Sequence, residues 1–205
     1  MPQQRRAQLT RRAILIAAAE EFDRVGYDAT SLNAILRRGG ITKGAFYFHF
    51  ASKEALATAL VKFQRRIWAR LWHGWKQREL DPLSTVVGAT NAALRIVERD
   101  VVVRAGTALA FKPSSFGAEG SEALEWERQI AELLRQSADS GSLRAGIDPG
   151  TAARVVHAAV VGVGRLGTQA PHVEPGMSER AGEVWQVLLE GIASSEWLSS
   201  NRWPS

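Results

Sequence analysis

The feature that constrains the fold most is a segment at residues 31–50, SLNAILRRGGITKGAFYFHF, which reads as two short helices around a glycine turn. Ser31 (or Thr30 before it) offers a side-chain oxygen that caps the first helix. Three apolar residues then follow the i, i+3, i+4 spacing of one helical face: Leu32, Ile35 and Leu36. The pair Gly39-Gly40 ends this helix, because glycine accepts the positive φ of a turn. Thr42 offers a cap for a second helix of about two turns.

This order of elements predicts a helix-turn-helix, whose second helix lies in the major groove of DNA. Two ordinary short helices of a bundle are the alternative, since helix-glycine-helix occurs widely. Charge favours DNA binding. Residues 1–54 hold nine Lys and Arg against five Asp and Glu, a net charge of +4, whereas residues 55–205 hold 17 against 16, a net charge of +1. Neutralising phosphates requires this placement, although a basic face exposed to water would also explain it.

Composition narrows the class of protein. The chain has 205 residues, 45% hydrophobic and 23% charged, which is typical of a soluble globular protein. There is no cysteine and hence neither a disulfide nor a thiolate metal site. We find no signal peptide and no apolar run long enough to span a membrane, and we expect a cytoplasmic protein. No enzymatic motif, phosphate-binding loop or metal-ligand spacing is present, so we expect no enzyme and no cofactor. The four histidines, none of which has metal-ligand spacing to another, are His49, His73, His157 and His172.

The N-terminal quarter is expected to form a DNA-binding domain over residues 1–51. Residues 1–7 look like a flexible basic arm, with Arg5 and Arg6 either reaching DNA phosphates or lying free in water. A first helix over residues 8–25 braces the helix-turn-helix. The predicted core of this three-helix unit consists of Phe22, Tyr27, Leu32, Ile35, Ile41, Phe46 and Phe50. Tyr27 is interpreted as a core residue with a hydrogen-bonded hydroxyl rather than a DNA contact.

Residues 52–205 are expected to form a second, entirely helical domain, so the predicted fold class is all-α. Helices are predicted over residues 52–77, 83–99, 101–111, 121–140, 152–166 and 179–197. The first of these carries a tryptophan row at i, i+4, i+7 that indicates a core or interface, with a ligand cage as the alternative: Trp68, Trp72 and Trp75. The helix over residues 152–166 is small and apolar on nearly every face, which favours burial against a partner chain.

The amino-acid sequence of the helix-turn-helix is similar to that of one protein family. Residues 41–50 read ITKGAFYFHF and are followed by Ser52, Lys53, Glu54 and Leu56. The first helix contributes further motif positions: Ala17, Ala18, Phe22, Gly26 and Tyr27. Over residues 8–57 the chain thus resembles the TetR family of transcriptional repressors. Phe46 departs from the pattern, because Leu or Val is commoner there; we expect it to alter packing rather than chemistry.

The rest of the chain resembles one branch of that family, the γ-butyrolactone autoregulator receptors. The matching pieces are GAFYFHF at 44–50, VRAG at 103–106 with Leu109-Ala110, Glu125-Trp126, Val160-Val161-Gly162, and Trp185-Gln186 with Leu188-Leu189 and Gly191-Ile192. The resemblance implies a C-terminal ligand-binding and dimerisation domain in which a tryptophan at the position of Trp126 closes on the lactone. Several relatives keep this scaffold but respond to other small molecules, or to none identified.

The residues expected to contact DNA are Ser31, Thr42, Lys43, Gly44, Ala45, Tyr47, Phe48, His49 and Lys53. Lys43 can donate to a guanine edge or to a phosphate. Gly44 and Ala45 are small and allow the helix to approach the bases closely. Tyr47, His49 and Lys53 are suited to backbone phosphates. A surface residue exposed to water is the alternative for each of them.

One recognition helix reads too few base pairs, so we expect a homodimer on a pseudopalindromic operator, with half-sites about 34–36 Å apart. The helices over residues 152–166 and 179–197 are expected to pair with their copies. The expected effector contacts are Trp126, Leu109, Phe111, Val86, Ile130, Val160 and Gly164. Together these features predict a repressor that a small-molecule effector, such as a γ-butyrolactone, releases from DNA. A ligand-blind DNA-binding dimer or a helical scaffold remains the alternative.

Overall fold

The protein is described by a computed structural model that covers residues 2–112, 116, 121–169 and 174–201. Its helices are α1 (Pro2–Val25), α2 (Leu32–Gly39), α3 (Lys43–His49), α4 (Lys53–Lys76), α5 (Pro82–Arg99), α6 (Val101–Ala110), α7 (Ser121–Asp139), α8 (Pro149–Gln169), α9 (Met177–Ile192) and α10 (Ser195–Ser200). Within these ranges there is no strand, only an isolated bridge between Leu143 and Ala193. The all-α fold class is confirmed. None of the described helices is long and apolar enough to cross a membrane.

The first of two compact units comprises Met1–Ile67 and Arg99–Glu119. It contains α1, α2, α3, the first part of α4, and α6. The predicted three-helix core is confirmed: Phe22, Ile35, Phe46 and Phe50 are buried, and Tyr27, Leu32 and Ile41 pack against them. Helix α6 adds Ala105 and Leu109 to the same hydrophobic cluster. The packing unit is therefore larger than residues 1–51, a range that remains a functional prediction.

Helix α1 begins earlier than its sequence pattern suggested. It starts at Pro2, so the prediction of a flexible arm over residues 1–7 is wrong for residues 2–7. Two physical reasons account for this. Proline is well suited to the first position of a helix. The Gln, Arg, Ala and Leu residues that follow are good helix formers with no glycine among them before Gly26.

The second compact unit comprises Trp68–Glu98 and Gly120–Ser205. Helix α8 packs against both α7 and α9. Two helices of this unit, α5 and α8, begin at the proline of an Asp-Pro pair. The Ser84 N–H donates to Asp81 Oδ1 at 2.9 Å, and the Thr151 N–H donates to Asp148 Oδ2 at 2.7 Å. The buried residues of α5 include Val86, Val87, Thr90, Leu94 and Val97.

The single helix predicted over residues 179–197 is wrong, because the chain leaves the helix at Ala193. Two backbone hydrogen bonds hold this break against a distant segment: the Arg144 N–H donates to Ile192 O at 2.8 Å, and the Ser194 N–H donates to Ser142 O at 2.9 Å. Ser194 then caps α10, since its side chain accepts from the Trp197 N–H at 3.2 Å. Backbone hydrogen bonds between residues 192–194 and residues 142–144 thus replace the helical turn that the sequence predicted there.

Candidate nucleic-acid interface and effector site

The turn between α2 and α3 is built as the sequence predicts. The Ala34 N–H donates to Ser31 Oγ, and the Ala45 N–H donates to Thr42 Oγ1, each at 3.2 Å. Gly40 adopts a left-handed conformation with φ 61°, which allows the chain to reverse between the helices. Each capping hydroxyl accepts one of these bonds and keeps its own hydrogen for an external acceptor.

Helix α3 divides sharply into an inward and an outward face. Phe46 is fully buried, whereas Tyr47 and Phe48 are 56% and 78% exposed. Lys43 and Gly44 are exposed beside them, and Ala45 and His49 are half-buried. Packing does not explain the glycine, because a Cβ added at Gly44 would have nothing within 4 Å among the described atoms. Two exposed aromatic rings beside a small residue form a surface suited to a close-fitting partner.

Lys53 has an internal role that sequence reasoning missed. Its Nζ donates to the carbonyl oxygens of Tyr27 at 3.0 Å and Thr30 at 2.8 Å. The same Nζ lies 4.2 Å from the centroid of the Tyr27 ring, a cation–π distance. Lys53 therefore closes the turn between α1 and α2. An ammonium group has three donors, so one remains for a phosphate.

Tyr27 is confirmed as a packing residue. Its ring lies 5.2 Å from that of Phe22 and 4.8 Å from that of Phe116, measured between centroids. Its hydroxyl donates to Glu54 Oε1 at 3.0 Å. Burial, and secondly this bond to Glu54, raises the pKa of Tyr27 to about 12. The tyrosine therefore stays neutral and anchors the first turn of α4 to the end of α1.

Ion pairs fix the neighbouring helices to α1, and the sequence reasoning did not identify them. The buried Glu21 carboxylate accepts from Arg24 at 2.8 Å and from Arg38 of α2 at 2.6 Å. The hydrogen bond from Arg24, and secondly that from Arg38, lowers the pKa of Glu21 below its usual value. Arg104 of α6 donates to both oxygens of Asp23, each at 2.9 Å. These pairs hold α2 and α6 in place against α1.

The predicted effector residue Trp126 lies in a group of rings in the second unit. Its ring centroid is 5.6 Å from that of Trp68, 5.0 Å from that of Trp72 and 6.5 Å from that of His157, the last in a stacked arrangement. We call these four residues the aromatic cluster. Trp68 and Trp72 are each 6% exposed and Trp126 is 9% exposed. The prediction of a buried tryptophan row is thus confirmed for its first two members, whereas Trp75 is half-buried.

The other predicted effector residues divide between the two units. Val86, Ile130 and Val160 are buried in the second unit, which also contains Gly164. Leu109 belongs instead to the hydrophobic cluster of the first unit. Phe111 directly follows α6 in the first unit and is 42% exposed. Five of the seven candidates thus share a unit, and packing within the first unit accounts for the burial of Leu109.

Two buried polar atoms in the second unit were not identified from the sequence. Trp72 Nε1 and Asn91 Oδ1 are enclosed, and neither has a hydrogen-bond partner among the described residues. Leaving such an atom unpaired costs about 1–3 kcal/mol, so each is a candidate contact for an outside group. His157 is also buried, with Nδ1 3.4 Å from Glu127 Oε1.

In the described part of the chain, no three His, Cys, Asp or Glu side chains form a group that could hold a metal ion. His172 lies outside the residues that the structure describes.

Comparison with known proteins agrees with this geometry. Residues 14–60 match the family described as bacterial regulatory proteins, tetR family. The A-factor receptor protein of Streptomyces griseus is 32% identical over 193 residues, which cover 94% of this chain and 67% of that protein. A crystal structure of a γ-butyrolactone receptor (ArpA-like protein) has a TM-score of 0.84 at 30% identity, with 95% of this chain and 94% of that chain covered.

A third relative is the TetR family protein CprB from Streptomyces coelicolor, solved in complex with its biological operator sequence. It has a TM-score of 0.79 at 32% identity, with 93% of this chain and 91% of that chain covered. These relatives are regulators and receptors, and the chain is likewise a regulator rather than an enzyme. It belongs to the TetR family of DNA-binding transcriptional regulators, and it is similar to γ-butyrolactone receptors over nearly its whole length.

Proposed function

We propose that this protein is a repressor that binds a pseudopalindromic operator as a homodimer and leaves it when a small-molecule effector binds. The observation that carries the proposal is the outward face of α3, where Lys43, Tyr47 and Phe48 are exposed around Gly44. The operator complex of CprB supports it, because that protein shares the fold over most of its length. A regulator of this kind acts in the cytoplasm, where bacterial DNA lies.

Each exposed group of α3 suits a particular part of DNA. The ammonium of Lys43 can donate to guanine O6 and N7, and the apolar ring of Phe48 and the methyl of Ala45 suit thymine methyl groups. Tyr47 and His49 suit phosphate oxygens, as do the free hydroxyl hydrogens of the caps Ser31 and Thr42.

Lys43→Ala should therefore weaken binding to the operator more than binding to bulk DNA. Fluorescence anisotropy on both kinds of duplex measures this. Equal loss on the two would make Lys43 a phosphate contact only.

Dimerisation through α8 and α9 is supported by the apolar side chains that these helices expose. Val155 and Leu166 of α8 are 49% and 55% exposed, and Val187 of α9 is 71% exposed. Apolar side chains exposed on two helices that pack against each other are suited to such an interface. An isologous contact between two copies would cover them and present two α3 helices to half-sites about 34–36 Å apart.

The effector is proposed to bind in the second unit, beside the aromatic cluster. Its class is inferred from the relatives, namely a γ-butyrolactone or a related signalling molecule. The unpaired atoms fit this chemistry. A lactone carbonyl accepts from an N–H such as Trp72 Nε1, and a ligand hydroxyl donates to an oxygen such as Asn91 Oδ1. Binding would then favour a state that no longer fits the operator spacing.

Two variants test the effector site. Trp72→Phe keeps an aromatic ring and loses the N–H, so a lactone effector should bind about tenfold more weakly, the equivalent of one hydrogen bond. Trp126→Ala should abolish the response while operator binding persists. Trp75→Phe on the same helix is the control, because the Trp75 ring packs beside Gly88 and its N–H is not one of the unpaired buried atoms.

The tight burial of Trp126 also favours a second candidate, a ligand-blind dimer in which this residue is only part of the core. A thermal-shift screen with lactones and furans separates the two. No shift with any of them, together with intact operator binding, would favour the ligand-blind dimer.

A further inference from the structure

A cleft of about 270 Å³ lies in the first unit, between α1, the end of α3 and α4. Apolar side chains such as Leu15 and Phe50 line part of it, and its basic side chains are Arg11, Lys62 and Arg66. His49, at the C-terminal end of the recognition helix, forms part of the wall. No Asp or Glu is among the lining residues. The charged side chains of the cleft are therefore all basic, and the cleft opens beside the DNA-binding surface.

The cations of this cleft have no counterion among the described residues. In the described ranges, Arg11, Lys62 and Arg66 form no ion pair. The acidic residues of α1 and of the turn after it form ion pairs with other cations. Glu20 pairs with Arg38, Glu21 with Arg24 and Arg38, Asp23 with Arg104, and Asp28 with Lys112. Lys62 and Arg66 also lie one turn apart on α4, where like charges repel. An anion between them would relieve this repulsion.

The geometry of the cleft suits a phosphate group. The guanidinium carbon of Arg11 lies 5.0 Å from the centroid of the Phe50 ring, and this cation–π contact holds the guanidinium at the cleft wall. Guanidinium groups bind phosphate oxygens through two parallel hydrogen bonds, and a lysine adds a compact charge.

We propose that this cleft binds a phosphate ester through Arg11, Lys62 and Arg66. Two sources supply this chemistry. One is the DNA backbone next to the half-site, since His49 links the cleft to the recognition helix; this source rests on the proposed function. The other is a small phosphorylated molecule, for which a cleft of about 270 Å³ has room. In either case the cleft adds an anion site to the regulator that is separate from the aromatic cluster.

The experiment compares the wild type with Lys62→Gln/Arg66→Gln. Both side chains are exposed, so this variant should fold, and its melting temperature without added anion checks that it does. The control is Arg95→Gln/Arg165→Gln, which removes the same charge from exposed positions of the second unit. One arm measures DNA affinity against salt concentration on operator and bulk duplexes. The other measures the melting temperature of the DNA-free proteins with inorganic pyrophosphate.

If the cleft binds the DNA backbone, the slope of log K against log salt concentration should become less steep in the cleft variant. The slope should change by about 0.9 for each phosphate that the variant no longer neutralises. This change should occur on both duplexes and be absent from the control variant. A small-molecule site predicts that pyrophosphate raises the melting temperature of the wild type and the control but not that of the cleft variant. Either result supports the phosphate site. An unchanged slope together with equal pyrophosphate shifts in all three proteins overturns it. Should the wild type fail to bind operator, the proposed function fails, and the pyrophosphate arm still decides the cleft.

Discussion

Gly106→Ala is the substitution with the most direct structural consequence in the DNA-binding unit. Gly106 lies on α6 and is buried where this helix packs against α4. A Cβ added there would lie 2.7 Å from the carbonyl oxygen of Leu60 and 2.8 Å from the Cβ of Gln64. The first of these atoms is backbone and the second is fixed directly to it, so neither can rotate away. The two helices must therefore separate by a few tenths of an ångström.

The expected cost follows from two opposing effects. Inserting a methyl group into a packed interface costs about 1–3 kcal/mol, and replacing a helical glycine by alanine returns about 0.5–1 kcal/mol. The net loss of stability is therefore about 0–2.5 kcal/mol, with a midpoint of about 1 kcal/mol. For a chain of this size, each kcal/mol lowers the melting temperature by about 2–4 °C. We expect a decrease of several degrees, together with weaker operator binding, because α4 and α6 both support the helix-turn-helix.

Differential scanning calorimetry measures this effect, and Gly74→Ala is the matched control. Gly74 lies within α4, is exposed, and has no atom within 4 Å of an added Cβ. The same chemical change should there raise the melting temperature, because only the helix propensity changes. If Gly106→Ala raised the melting temperature as much as Gly74→Ala, the close approach of α6 to α4 would be refuted.

Three further substitutions test other parts of the structure. Lys53→Met keeps an apolar chain of similar length but removes two hydrogen bonds to the turn after α1 and the cation–π contact with Tyr27. It should lower the free energy of unfolding in urea by about 1–3 kcal/mol, and a neutral result would contradict the closing role of Lys53. Glu21→Gln should melt below the wild type at pH 7. Because the folded pKa of Glu21 is depressed below 4.5, the advantage of the wild type should shrink as pH falls below that value; a constant gap from pH 7 to pH 3.5 would speak against it. Val187→Glu on α9 should turn the dimer into a monomer in sedimentation velocity, whereas Leu124→Glu, on an equally exposed site of α7, should not; a dimeric Val187→Glu protein would place the interface elsewhere.

The helix-turn-helix could be predicted because its signals are local. Caps such as Ser31 and Thr42, the glycine turn at Gly40 and the inward Phe46 all act within a few residues of their partners. A periodic pattern and a capping residue are sufficient to specify such a segment.

Features that depend on distant partners could not be predicted in this way. The break at Ala193 requires backbone pairing with residues 142–144. Leu109 joins the core around Phe22, although its position in the sequence suggested an effector contact. For the same reason, each of the two compact units combines two separate stretches of the chain. The unpaired atom of Trp72 also emerges only when its surroundings are known.

Operator binding with and without an effector tests the central claim most directly. Duplexes selected from a random library by the wild-type protein are labelled, and anisotropy is measured as protein and then a γ-butyrolactone are added. The proposed function predicts a pseudopalindromic site bound by two protomers and released by the lactone in the wild type, with weaker release in Trp72→Phe. Selection of no common sequence by the wild type, with the same weak binding to every duplex, would contradict it.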